Sequence, residues 1–172
     1  MPKNAFSEPV SLRICKPVTN TMNVRGRLFT CARPGRSLGR TESVPDEVVD
    51  LWVRGLPDAE GYQLVSLLGE KEDGRSEYSF YTFGGEHEQS LGKPTFQEWL
   101  DTTYGAGRFK VWEYPTLDAG NNALSEEDIQ HLRGLVLSLL EQGQTVVLFD
   151  SGGSQRTGQF CKNVGFERKP VT

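Results

Sequence analysis

"TVVLFDSGGSQRTGQF" (residues 145–160) decides how this chain folds. Its first five residues, 145–149, are β-branched or large and apolar, which predicts a strand. "DSGGSQ" cannot continue that strand, and "RTGQF" restarts with helical spacing, so the chain turns through Ser151, Gly152, Gly153, Ser154 and Gln155 into a helix opening near Arg156. Immediately upstream, "LSEEDIQHLRGLVLSLLEQG" (124–143) predicts an amphipathic helix. Ser125 can cap it, Glu126, Glu127 and Asp128 sit where the helix dipole favours acids, and Leu124 can staple to Ile129. Ile129, Leu132, Val136, Leu139 and Leu140 fall on one stripe, and Gly143 ends the helix. A helix feeding directly into a strand, and that strand into another helix, is the signature of a parallel sheet with helical cover.

The remaining segments extend the same alternation. "GRLFTCA" (26–32) predicts a strand stopped by "RPGR", and the apolar spacing from Pro45 to Leu56 predicts a helix. "YQLVSLLG" (62–69) predicts a buried strand, "TFQEWLDTTYG" (95–105) a helix capped by Thr95 and closed by Gly105, and "RFKVWEY" (108–114) a strand. Residues 70–94 are polar, rich in glycine and carry Tyr78, Phe80, Tyr81 and Phe83, which predicts a long loop anchored by aromatic side chains. The expected architecture is a single-domain α/β fold, a central mostly parallel sheet flanked by helices over residues 25–172, preceded by an extended arm at 1–24.

Composition limits the function. With 172 residues, 36% hydrophobic and 24% charged, the chain is long enough for one core. A net charge of −4 lacks the positive field that general nucleic-acid or membrane-surface binding requires, so neither partner is expected. Cys15, Cys31 and Cys161 are odd in number and widely spaced, the pattern of a reduced protein, and read as small hydrophobes. With no signal-length apolar run, the expected location is the cytoplasm. His87 has no second ligand at metal spacing, and His131 lies on a polar helix flank, so neither a metal nor a cofactor is expected.

In such folds ligands bind beyond the carboxyl ends of the strands, which is where 150–157 must lie. Several familiar loops fail there. "DSGG" matches the nucleophile turn of chymotrypsin-like proteases, but those are paired β-barrels, and the residue before Asp150 is Phe149 rather than glycine. The turn has no lysine for a Walker A loop, no G-x-G-x-x-G, and Arg156 where a hydrolase elbow around Ser154 needs its second glycine. What survives is an anion nest: successive backbone N–H groups aimed inward at the positive end of a helix, with Arg156 as a planar fork for two phosphate oxygens and Thr157 as an orienting hydroxyl.

"FDSGGSQRT" (149–157) resembles the active-site loop of the cysteine-dependent protein tyrosine and dual-specificity phosphatases, whose pattern is His-Cys, five residues, Arg, then Ser or Thr. The resemblance puts Phe149 at the histidine, Asp150 at the cysteine, Ser151, Gly152, Gly153, Ser154 and Gln155 in the phosphate-binding loop, Arg156 at the arginine and Thr157 at the hydroxyl. "YPTLDAG" (114–120) is similar to the acid loop of compact bacterial members and places Asp118 as general acid. "RLFTCARPG" and "YQLVSLLGEKE" look like the early strands of the same proteins, so the similarity runs over about residues 26–166.

The resemblance implies binding of a phosphorylated protein or a small phosphomonoester, and the carboxylate at 150 governs whether the bound phosphoryl group can react. Without a thiolate the expected function is that of a pseudophosphatase or an inactivated phosphatase. The alternatives are an active phosphomonoesterase, with cysteine at 150 in its parent or with Asp150 as nucleophile and Asp118 as acid, and a non-catalytic interaction module. A carboxylate carries its own negative charge into a nest for anions, so Asp150 is expected to accept the loop N–H groups and to pair with Arg156, standing in for phosphate.

Overall fold

The computed structural model describes residues 11–19, 22, 24–36, 44–69, 94–116 and 124–171. Six strands and four helices alternate along it: β1 (Arg13–Pro17), β2 (Arg27–Ala32), α1 (Asp46–Arg54), β3 (Tyr62–Ser66), α2 (Phe96–Tyr104), β4 (Phe109–Glu113), α3 (Glu126–Glu141), β5 (Thr145–Asp150), α4 (Gln155–Val164) and β6 (Phe166–Pro170). The strands form one mixed sheet in the order β4-β3-β5-β2-β1-β6. Its first four members are parallel, and β1 and β6 add an antiparallel edge.

Side-chain alternation divides the core between the two faces of the sheet. Phe29, Leu64, Val111, Val147 and Phe149 point to one face and pack with Val49 and Trp52 of α1 and Phe96 and Leu100 of α2. Leu28, Val65, Val146 and Leu148 point to the other and pack with Leu132, Val136 and Leu140 of α3 and Phe160 and Val164 of α4. Every residue of β5 is buried, as the unbroken apolar run requires of a strand covered on both sides. The acidic, serine-led start of α3 is a complete capping box: Ser125 Oγ accepts from Asp128 N at 3.0 Å, and Asp128 Oδ2 accepts from Ser125 N at 3.2 Å.

Topology places the site. The helices that follow β2 and β3 lie on one face of the sheet, whereas α4, following β5 between them, lies on the other. Chains leaving neighbouring strands in opposite directions open a crevice at their carboxyl ends. Residues 151–154 form the rim of that crevice.

Two strands depart from the expected layout. Arg13–Pro17, inside the stretch expected to be an arm, is hydrogen-bonded into the sheet as β1. Phe166–Pro170 forms β6, pairing with β1 along its full length. The sheet is therefore mixed, its parallel part confined to β4, β3, β5 and β2. Strand β3 ends at Ser66 rather than running to Gly69, and the Leu67 carbonyl just beyond it accepts from Thr116 N and from the side chains of Thr116 and Arg156. Residues 70–93, with His87 and the four aromatics expected to anchor that loop, lie outside the described residues.

Burial gives a direct test of this layering. Leu64 is fully buried between β5 and the α1–α2 layer, whereas Leu51 on α1 is 39% exposed. Leu64→Ala is expected to lower stability by about 2–5 kcal/mol, and Leu51→Ala by no more than about 0.5 kcal/mol, measured by urea denaturation.

Candidate functional site

Three parallel strands contribute their carboxyl ends to the crevice, and main-chain hydrogen bonds lock the end of β5 on both sides. Leu67 N donates to Phe149 O at 2.9 Å from the β3 side, and Arg33 N donates to Asp150 O at 2.9 Å from the β2 side. Phe149 is fully buried and meets the Trp52 ring edge-on at 5.3 Å between centroids. Phe149 is thus a core side chain of the α1–α2 layer.

Asp150 turns the other way. Its side chain is 2% exposed and both carboxylate oxygens accept backbone N–H groups of the loop: Oδ1 from Gly153, and Oδ2 from Thr157 at 3.1 Å. Thr157 N is one of the first-turn amides that α4 cannot satisfy internally, and Ser154, the N-cap, makes no side-chain cap of its own. The carboxylate therefore caps α4 from inside the nest and neutralises the positive end of its dipole.

Gly153 allows the loop to bend this way, and Gly158, inside α4, leaves space on its outer side. Gly153 has φ +72, a left-handed conformation that costs other residues strain, and a Cβ there would strike Ala32 N of β2. Gly158 faces Arg168 of β6, whose Nη2 would lie 2.6 Å from a Cβ. That space lets the Arg168 guanidinium lie along the outside of the loop. It donates to Gly153 O at 3.4 Å, Ser154 O at 3.4 Å and Thr157 Oγ1 at 3.3 Å. Arg168 thus holds the carbonyls of residues 153 and 154 on the side of the loop facing β6.

Arg156 is 2% exposed and spans the crevice. Its Nη1 donates to Leu67 O at 3.0 Å and to Thr116 Oγ1 at 2.9 Å, while the Thr116 hydroxyl donates to the same Leu67 carbonyl at 2.6 Å. This fixes the plane of the guanidinium and ties the loop after β5 to those after β3 and β4. The close approach is possible because residue 69 is glycine: a Cβ there would strike Thr116 O. Asp150 accepts the two backbone amides as expected, and Arg156 is in addition braced by Leu67 and Thr116, partners that the sequence did not anticipate.

The other predicted positions divide by exposure. Ser151 is buried, Gly152, Ser154 and Gln155 form the exposed lip, and the Thr157 hydroxyl accepts from Arg168. Gly152 lies beside the exposed Arg36, whose Nη2 would stand 3.8 Å from a Cβ at 152. Asp118 lies outside the described residues. Arg33, 2% exposed at the end of β2, donates from Nη1 to Pro34 O. His131 Nδ1 meets Tyr114 Oη at 3.2 Å, as does Asp128 Oδ1, and burial followed by the Asp128 charge pushes the Tyr114 hydroxyl above its ordinary pKa. Among the described residues no three His, Cys, Asp or Glu side chains gather as a metal would need.

Sequence reading missed Arg33, Arg36, Thr116 and Arg168. "RPGR" following a strand did carry a signal, since residues just past a parallel strand reach the crevice. Arg168 carried none, because β6 itself was not legible.

Two outcomes test this geometry. Gly153→Ala is expected to cost at least about 1 kcal/mol, combining left-handed strain with the Ala32 clash. Arg168→Ala is expected to destabilise by about 1 kcal/mol, and Gly158→Ala by less, because its Cβ meets only the far end of the flexible Arg168 side chain and gains helix propensity; the double variant is expected to cost no more than Arg168→Ala alone. Thermal and denaturant unfolding of the four proteins measures both.

No helix among the described residues is long and apolar enough to cross a membrane. Comparison with family models, with curated proteins and with solved structures found no match to this chain.

Proposed function

We propose that this protein is a pseudophosphatase-like binding protein of the tyrosine and dual-specificity phosphatase kind, in which a phosphate-binding loop over residues 150–157 has exchanged its thiolate for a carboxylate. The observation that carries the reading is the Asp150 side chain accepting Gly153 N and Thr157 N, the position and partners an anion at this helix start would take. The surroundings support it: a central strand end, a glycine in the left-handed region, a buried arginine braced by two neighbouring loops and a second arginine holding the loop carbonyls.

A phosphorylated protein or small phosphomonoester binds such a site only by displacing Asp150. Loss of one charged hydrogen bond of about 1.5–3 kcal/mol weakens affinity by about tenfold or more. Bare phosphate therefore binds feebly, and a physiological ligand draws its affinity from contacts beyond the phosphoryl group. The alternative of an active hydrolase with Asp150 as nucleophile fits less well, because both carboxylate oxygens are engaged by amides and attack on phosphorus would first have to break those bonds.

Titration calorimetry with inorganic phosphate and vanadate tests the proposal. Asp150→Ala is expected to bind phosphate at least about tenfold more tightly than the parent, and Asp150→Cys to gain vanadate binding. Equal anion binding in all three proteins contradicts the proposal and leaves an interaction module with a structural loop. Acid-stable label on Asp150 after quenching with a radioactive aryl phosphate establishes the hydrolase instead.

Emptying the nest also has a stability signature. In phosphate-free buffer Asp150→Ala leaves two buried amides unpaired, at about 1–3 kcal/mol each, and melts well below the parent. Added phosphate is expected to raise the melting temperature of the variant and not that of the parent.

A further inference from the structure

Cys15 and Cys161 were expected to be unrelated small hydrophobes. In the fold they face one another across the layer between β1 and α4, with their sulfurs 3.7 Å apart, 146 positions apart in sequence. Both are reduced and buried, at 4% and 1% exposure. Cys31, the third cysteine, belongs to the core on the opposite face of the sheet. Sulfurs at that separation need to close by less than 2 Å to reach the length of a covalent bond, roughly 2.05 Å. Cys161 lies one helical turn beyond Thr157 on the helix whose start forms the nest, and Cys15 is directly opposite Arg168 in the β1–β6 register.

We propose that Cys15 and Cys161 are a redox-active dithiol that hydrogen peroxide converts to a disulfide, stapling α4 to β1 directly behind the loop. The two thiols are not equivalent. The hydrogen bond from Cys161 draws the Cys15 thiol below its ordinary pKa despite burial, with Arg168 and Arg13 adding in the same direction, whereas the bond to Cys15, reinforced by burial, pushes Cys161 up. Arg168, directly opposite Cys15 in the β1–β6 register, places positive charge beside that sulfur, so Cys15 is the attacking group and Cys161 the resolving one. The Cys15 thiolate attacks one peroxide oxygen, the O–O bond breaks, and hydroxide leaves with the Cys161 proton as water or takes one from solvent, giving a sulfenic acid on Cys15. The Cys161 sulfur then attacks the Cys15 sulfur; the S–S bond forms, the S–O bond breaks, and the second oxygen departs as water. Two thiols are oxidised and one peroxide is reduced to two waters.

This reaction is independent of anion binding and involves none of the loop side chains. Its consequence is mechanical: the disulfide fixes α4, and with it the amides of the nest, against the antiparallel edge of the sheet.

The test uses the full chain treated with a small excess of hydrogen peroxide, then denatured for thiol titration and peptide mapping. Free thiols are expected to fall from three to one, with loss of two hydrogens in mass, a Cys15–Cys161 linked peptide, and Cys31 left reduced. The melting temperature is expected to rise and to return on addition of dithiothreitol. In Cys161→Ser the same treatment is expected to leave a Cys15 sulfenic acid that dimedone traps. Three thiols remaining, a link through Cys31, or direct over-oxidation of the unaltered protein to sulfinic acid overturns the proposal. A melting temperature that falls on cross-linking overturns the claim that the bond fits the native packing.

Discussion

A carboxylate held by two backbone amides organises the carboxyl end of this sheet. The chain must leave the central strand β5, reverse within four residues and start α4, whose first-turn N–H groups have no partners of their own. Asp150 ends the strand and caps the helix with one side chain, accepting Gly153 N and Thr157 N. The same contact makes the loop compact and buries the carboxylate next to a helix dipole that favours it. Its influence reaches across the sheet: burial, and after it the Asp150 charge, pushes the Cys31 thiol above its ordinary pKa.

Everything around the loop is arranged to hold that geometry. Glycines occur where a side chain would collide: Gly153 against β2, Gly158 beneath Arg168, Gly69 against the loop after β4. Two arginines act on opposite sides. Arg168 grips the carbonyls from outside, and Arg156 braces the loop against Leu67 and Thr116 from within. A loop that served only to connect a strand to a helix would need the first of these devices. The bracing of the buried Arg156 goes beyond that need and ties the end of β5 to the segments after β3 and β4.

What was legible in the sequence came from periodicity and capping. The continuous apolar run at 145–149, the serine-led acidic start at 125 and the Thr95 cap each specify local geometry through their own chemistry, and each element formed where expected. Strands β1 and β6 were hidden because neither carries that signal. "RICKP" and "FERKP" are short, charged and close with proline, and they exist as strands only because they pair with one another and with β2. Missing β6 concealed Arg168, and with it the reason residue 158 is glycine. The Cys15–Cys161 contact was hidden for the same cause, since nothing in a linear chain brings residue 15 to residue 161 until β1 enters the sheet. The turn from strand to helix was readable from its glycines, whereas the direction in which Arg156 braces depends on Thr116 and Leu67, which only the tertiary fold supplies.

The two amides that point at Asp150 carry the whole arrangement, and their hydrogen exchange in the unaltered protein tests it most directly. If the carboxylate fills the nest, the Gly153 and Thr157 amide protons are protected and shifted downfield in the absence of any added anion, and remain so when millimolar phosphate is supplied. Rapid exchange of both amides in anion-free buffer, with protection appearing only on addition of phosphate, would show an open loop and contradict it.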